Sequence, residues 1–165
     1  MSKKIRIAVE LIIWIVLVAA DQISKIAAVN ALKDKPAIPL IKNVLEFYYV
    51  ENRGAAFSML QNATWFFYII ASAAIIAIAV FLIRMPDGRR FVPLRILLVL
   101  ISAGAAGNLI DRVMFTYVRD FIYFSLINFP VFNVADMYVT CATFALVLLT
   151  FFYYKDEDFA AMGIH

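Results

Sequence analysis

Gly104-Ala105-Ala106-Gly107-Asn108-Leu109-Ile110-Asp111-Arg112 closes one apolar run, Val118-Arg119-Asp120-Phe121 lies in the connection that follows, and Phe132-Asn133-Val134-Ala135-Asp136 opens the next run. Three carboxylates, two asparagines and two arginines thus lie within or beside very hydrophobic segments. Charged and amide groups are costly in such surroundings, and by default they mark a functional site. The reading of this stretch depends on whether the flanking runs are membrane helices and on which side their ends emerge.

Composition answers the first question. Of 165 residues, 65% are hydrophobic, 15% aromatic and only 16% charged, and the mean hydropathy is +0.88. Soluble domains carry roughly 45–50% apolar and about 25% charged residues. The chain is therefore expected to be one integral membrane domain over residues 1–165, without a linker or a separate soluble module. The net charge of +3 is better read as basic anchors at membrane borders than as a nucleic-acid footprint. One cysteine, Cys141, and one histidine, His165, leave no disulfide within the chain and no Cys/His metal site. Chemistry must come from carboxylates, hydroxyls, amides or lysine, and neither a metal nor a cofactor is expected. No internal repeat or low-complexity segment is present.

Four apolar runs are long enough to span a bilayer: about 7–31, 64–83, 91–112 and 134–154. Lys3, Lys4 and Arg6 ahead of the first run, with Val18-Ala19-Ala20 inside it, resemble a secretory signal. The run nevertheless continues through Asp21 to about Leu32, so an uncleaved first helix is expected. Asp21 and Lys25 form an i, i+4 pair with the acid first. Between the first two runs the chain is too charged to span. Pro36 and Pro39 break helix. Residues 44–50 are rich in β formers and read as a strand, Asn52-Arg53-Gly54 as a turn, and 55–60 as a return strand. Residues 113–130 read as a loop with aromatic alternation. The fold class is thus an all-α membrane protein, a four-transmembrane-helix bundle with a small extracytoplasmic β platform.

Orientation follows from the basic residues. Lys3, Lys4 and Arg6 at the start, and Arg84, Arg89 and Arg90 in the turn between the second and third runs, place those segments in the cytoplasm. With four spans both termini are cytoplasmic. Asp21 and Lys25, Asn52 and Gly54, Asn108, Asp111 and Arg112, Asp120, and Asn133 and Asp136 then all fall on the extracytoplasmic side.

Each polar motif has a structural and a chemical reading. Gly104, Asn108 and Asp111 or Arg112 lie on one helix stripe, and Ala103-x-x-x-Gly107 is a small-residue pattern that lets another helix approach closely. That stripe reads mainly as a packing face with a hydrogen-bond network, while Arg112 carries a fork suited to a carboxylate or a lipid phosphate. Asn133-Val134-Ala135-Asp136 fits a helix capping box. Asp136 also fits a second role, since the preceding chain brings Asp120 to the same side. Two carboxylates a few ångströms apart cannot both ionise cheaply, so one serves as base and the other as acid towards a water. Such a pair suffices for amide hydrolysis. The intramembrane carboxylates equally fit a small transporter or proton-coupled channel, or a subunit whose polar groups only cap helices. The almost wholly apolar inner halves of spans two to four count against a continuous ion path.

Five blocks, in order, resemble the bacterial lipoprotein signal peptidases, the type II signal peptidases. They are Asp21-Gln22-Ile23-Ser24-Lys25, Asn52-Arg53-Gly54-Ala55-Ala56-Phe57, Gly107-Asn108-Leu109-Ile110-Asp111-Arg112, Val118-Arg119-Asp120-Phe121 and Phe132-Asn133-Val134-Ala135-Asp136. The resemblance covers nearly the whole chain. It implies an intramembrane aspartyl endopeptidase that removes the signal peptide of a diacylglyceryl-modified prolipoprotein, cutting just before the lipid-modified cysteine. It implies Asp120 and Asp136 as the catalytic pair. Asp21, Lys25, Asn52, Gly54, Asn108, Asp111, Arg112 and Asn133 would shape the site or position substrate, and Phe57 and Tyr123 would help to cover it. The implied setting is the bacterial cytoplasmic membrane, with prolipoproteins and lipids as partners, no nucleic acid, and a monomer. One departure stands out: the family's usual Gly-Gly pair ahead of the Gly-Asn block is Ala103-Gly104 here, which bears on helix packing.

Overall fold

The computed structural model describes residues 2–54 and 64–163. Among them, four helices are long and apolar enough to cross a membrane. They are α1 (Lys3–Leu32), α2 (Thr64–Arg84), α3 (Val92–Phe115) and α4 (Val134–Phe152), and a short α5 (Asp156–Ala161) follows. Their outward faces carry large exposed apolar side chains such as Ile12, Ile76, Phe144 and Phe151, as a lipid-facing bundle requires.

The third helix is the centre of the bundle and packs against α1, α2 and α4. Its small residues explain how. A methyl placed on Gly104 would lie 2.5 Å from the Ala135 carbonyl oxygen and 2.7 Å from Val139 Cγ2, so the glycine lets α3 and α4 approach backbone to backbone. Gly107 does the same towards α1, where the Asp21 carboxylate fills the space a side chain would need. Ala103, where the resemblance leads one to expect glycine, is fully buried beside Val18 and Ala106. Its methyl is absorbed into that cluster, and the helix contact survives the departure. Gly104→Ala is expected to push α4 away from α3 and to destabilise the protein by about 1–3 kcal/mol, measured as a lowered thermal midpoint in detergent.

On one end of the bundle sits an antiparallel three-stranded sheet in the order β1 (Ile38–Ile41), β2 (Leu45–Asn52), β3 (Val118–Tyr123). β2, expected from its β formers, is thus the central strand of the sheet. The partner of β2 in the first loop is the upstream segment with Pro39, because an edge strand tolerates proline. The turn between them uses Asn43 at φ 61°, a left-handed conformation that asparagine accepts more readily than most residues. The third strand comes from 113–130, read above as loop, where Val118, Phe121, Ile122 and Tyr123 supply β formers. The proposed return strand 55–60 lies outside the described residues. Ala28 and Leu32 at the end of α1 pack with Phe121, Phe47 and Tyr49 and seat the sheet on the bundle.

The opposite end is closed by basic side chains. Arg6 donates to the carbonyls of Met85 (3.1 Å) and Leu82 (3.3 Å) and pairs with Asp87 at 2.9 Å. Arg90 forks onto Asp158 of α5.

Candidate active site

The polar residues singled out in the sequence meet where the sheet rests on α1, α3 and α4. Asp21 and Lys25, one turn apart on α1, are both completely buried. The Lys25 ammonium lies 2.9 Å from Asp21 and 3.5 Å from Asp111, and it donates to Asn108 Oδ1 at 2.9 Å. The ammonium can only donate, and two carboxylates and one amide oxygen surround it. Asp21 also accepts from the backbone N–H of Ala135 at 2.9 Å, satisfying one of the otherwise orphaned donors at the start of α4.

At that start the capping box is complete. Asn133 Oδ1 accepts from the Asp136 N–H at 3.1 Å, and Asp136 Oδ2 accepts from the Asn133 N–H at 3.0 Å. The remaining atoms of both residues point onward. Asp136 Oδ1 accepts from Asn108 Nδ2 at 2.7 Å. Asn133 Nδ2 donates to Asp120 Oδ1 at 2.6 Å and to Asn108 Oδ1 at 3.1 Å. On the far side Asn52 Nδ2 donates to Asp120 Oδ2 at 2.9 Å.

The three asparagines are oriented by partners that can only donate. Lys25 fixes the oxygen of Asn108, the Asp136 N–H fixes that of Asn133, and the Gly54 N–H (3.0 Å) fixes that of Asn52. Each amide nitrogen is thereby aimed at a carboxylate. Every oxygen of Asp120 and Asp136 accepts one N–H, and both carboxyl groups line the same cavity of about 590 Å³. Burial, and then the neighbouring Asp136 carboxylate, push the Asp120 carboxyl up from an ordinary 3.8 to about 7.

The cavity has a polar end formed by Asn52, Gly54, Asn108, Arg112 and the two aspartates. Its apolar walls come from Val118, the 124–132 segment and Met137, and it reaches Thr140 and Cys141 further along α4. Arg112 contacts no carboxylate among its hydrogen bonds. It donates to the carbonyls of Gly54 (3.3 Å) and Asn108 (3.5 Å), and its guanidinium lies 4.6 Å from the Phe67 ring centre. Of the two aromatic covers suggested by sequence, Phe57 lies outside the described residues. Tyr123 does not line the cavity; its hydroxyl donates to Asn128 at 2.7 Å, and Phe124, Phe129 and Phe132 take the wall instead.

Two residues of the network escaped the sequence reading. Arg119 forks onto Asp111 through Nε (3.1 Å) and Nη2 (2.7 Å) and reaches Gln22 Oε1 at 2.8 Å. Gln22 Nε2 in turn donates to Asp21, Asp111 and the Gly107 carbonyl, each at 3.1 Å. The available signal was adjacency: Gln22 follows Asp21, and Arg119 precedes Asp120.

Compared with known proteins, residues 13–152 match the family described as Signal peptidase (SPase) II. The chain belongs to this family. The lipoprotein signal peptidase of Clostridioides difficile is 41% identical over 143 residues, spanning 87% of this chain and 95% of the relative. That of Brevibacillus brevis is 41% identical over 136 residues, spanning 82% and 90%. Two solved structures described as a bacterial membrane enzyme, determined by the in meso method at 2.3 and 1.9 Å resolution, have similar folds. Their TM-scores are 0.76 and 0.77 at 30% and 29% identity, covering 90% and 89% of this chain and 93% and 95% of theirs. As a signal peptidase II, the protein is a multi-pass membrane protease, and its polar cluster is the place to look for the chemistry.

Proposed function

We propose that this signal peptidase II is an aspartyl endopeptidase that cuts diacylglyceryl-modified prolipoproteins on the amino side of the modified cysteine. The observation that carries the reading is the shared cavity of Asp120 and Asp136, each carboxylate oxygen held by one N–H donor. Two buried carboxylates so placed hold one proton between them. The proton sits on Asp120, whose carboxyl is pushed up to about 7. Asp136 is the anion, at the N-terminus of α4 where the helix dipole favours negative charge.

A water between them loses a proton to Asp136, and its oxygen bonds to the scissile carbonyl carbon. The carbonyl oxygen takes the proton of Asp120, giving a neutral gem-diol. Asp136 then protonates the amide nitrogen while the C–N bond breaks. One diol hydroxyl returns its proton to Asp120 as the new carboxyl forms, and the pair is reset. Asn52, Asn108 and Asn133 keep both carboxyl groups in place throughout. Gly54 and Arg112, at the polar end of the cavity, would meet the substrate backbone. The apolar walls that run along α4 suit the lipid-bearing part of the substrate. The working location is the extracytoplasmic face of the bacterial cell membrane, with both termini in the cytoplasm and the chain acting as a monomer.

The test uses purified protein in detergent with a diacylglyceryl-modified precursor and its unmodified counterpart. The expected result is one cut, immediately before the modified cysteine by mass spectrometry, and little cutting of the unmodified form. Cutting elsewhere, or equal processing of both forms, would overturn the substrate assignment.

A further inference from the structure

The two carboxylates belong to different parts of the molecule. Asp136 is built into a membrane helix, whereas Asp120 rides on β3, which pairs with β2 on one side and, among the described residues, meets Phe132 through Phe121 and Ile122 on the other. The β2–β3 register is itself interrupted between Phe47 and Val50. Asp120 itself pairs with Val50, so strand pairing fixes it within the sheet but does not by itself fix the sheet against the helices. Successive side chains of a strand point to opposite faces. Val118 and Asp120 line the cavity, and Arg119 turns the other way, towards α1 and α3.

Arg119 is 6% exposed. Its guanidinium grips both oxygens of Asp111, its own backbone N–H adds a bond to Asp111 at 2.9 Å, and Nη2 also reaches Gln22. The Phe115 ring lies 4.7 Å from the guanidinium carbon. A reversal made this possible. Thr116 closes α3 in the left-handed region at φ 68°, so the chain folds back and Arg119 meets Asp111 in the last turns of α3.

We propose that Arg119 is a positioning residue that sets Asp120 against Asp136 by fastening the surface sheet to α3 through Asp111 and to α1 through Gln22. The inference rests on reading Asp120 and Asp136 as the reacting pair. Arg119 does not touch the cavity and acts only through the strand it anchors. The demand is for a planar fork rather than for a charge: a lysine keeps the charge but cannot span both Asp111 oxygens and Gln22 together. A sheet released by about 1 Å would misplace Asp120, and misplacement on that scale costs up to about 10²-fold in rate.

The experiment compares steady-state kinetics of purified R119K, R119M, D111N and D111N/R119M with D120N in parallel, per folded molecule, across pH. R119K and R119M should each lose about 10–100-fold in kcat, with KM changed less than about threefold. The alkaline limb of the pH profile should move, because the spacing of the two carboxyl groups sets it. D111N/R119M should be no worse than the poorer of D111N and R119M, as expected for two halves of one clamp. If D120N is inactive while R119K keeps wild-type kcat and an unmoved alkaline limb, the positioning role is refuted. The same holds if the R119K loss is fully accounted for by its unfolded fraction. A fully active D120N would instead refute the carboxylate pair itself.

Discussion

Replacing Asp136 by Asn is expected to lower precursor cleavage by at least about 10³-fold, since in the proposed mechanism it removes the base that takes the proton of water. The substitution is nearly isosteric, but the site has no place for the new donor. An asparagine at 136 must keep its oxygen towards the Asn133 N–H to preserve the cap. Its NH₂ then faces the Nδ2 of Asn108, donor against donor. Asn108 cannot turn over to help, because its oxygen already serves Lys25 and Asn133. Asp136→Asn should therefore lose some stability as well as activity.

Asp120→Asn should lose activity to a similar extent and should also remove part of the dependence of stability on pH. The folded-state carboxyl of Asp120 titrates at about 7 rather than 3.8. A raised value means that the native state holds the proton more tightly. The contribution of this group is thus fully present below about pH 4 and is lost as pH rises through about 7. The wild type should melt at progressively lower temperature from pH 5 to pH 8, and the Asn variant should lack that part of the decline. The cleavage rate of the wild type should fall over the same upper limb as Asp120 gives up its proton. Thermal melts and initial rates across pH check both limbs. A pH-independent rate from 6 to 9 would contradict the assignment.

Lys25→Met is expected to have the largest effect on the fold. The ammonium is the common partner of Asp21, Asp111 and Asn108 in a region closed to solvent. Methionine fills similar space but leaves two buried carboxylates with less compensation. Breaking a buried ion pair on one side costs about 3–5 kcal/mol. Only Arg119 and Gln22 remain near Asp111 to offset it. The double variant Asp21→Asn/Lys25→Met, which removes one unpaired charge, should recover part of the loss. Denaturation in detergent measures both; equal stability of Lys25→Met and wild type would mean that the buried pair contributes nothing.

The helical half of this fold is written plainly in the sequence. Apolar runs of membrane length, the acid-first pair Asp21–Lys25 and the Asn133–Asp136 box are local patterns, and α1, α3 and α4 carry them where spacing places them. The sheet is different. Strand partners are set by non-local contacts, so the pairing of β2 with 38–41 and with 118–123 was not legible. Arg119 and Gln22 were hidden for the same reason. Nothing in a single arginine next to an aspartate says that the chain will double back after Thr116 and bury it on α3. The amide orientations of Asn52, Asn108 and Asn133 were likewise unreadable, because each is dictated by a donor from elsewhere in the fold or across a turn.

Those three one-way amides have a further result. A proton resting on Asp120 is surrounded, among the described residues, by partners that already give hydrogens and have no basic nitrogen to receive one. Beneath them, Lys25 is likewise a donor towards each of its neighbours. The only outlets are the companion carboxyl group, water and the bound peptide. The site is thus insulated from the membrane interior, and proton traffic begins and ends in the cavity. A vesicle carrying this protein should hold its proton gradient during turnover.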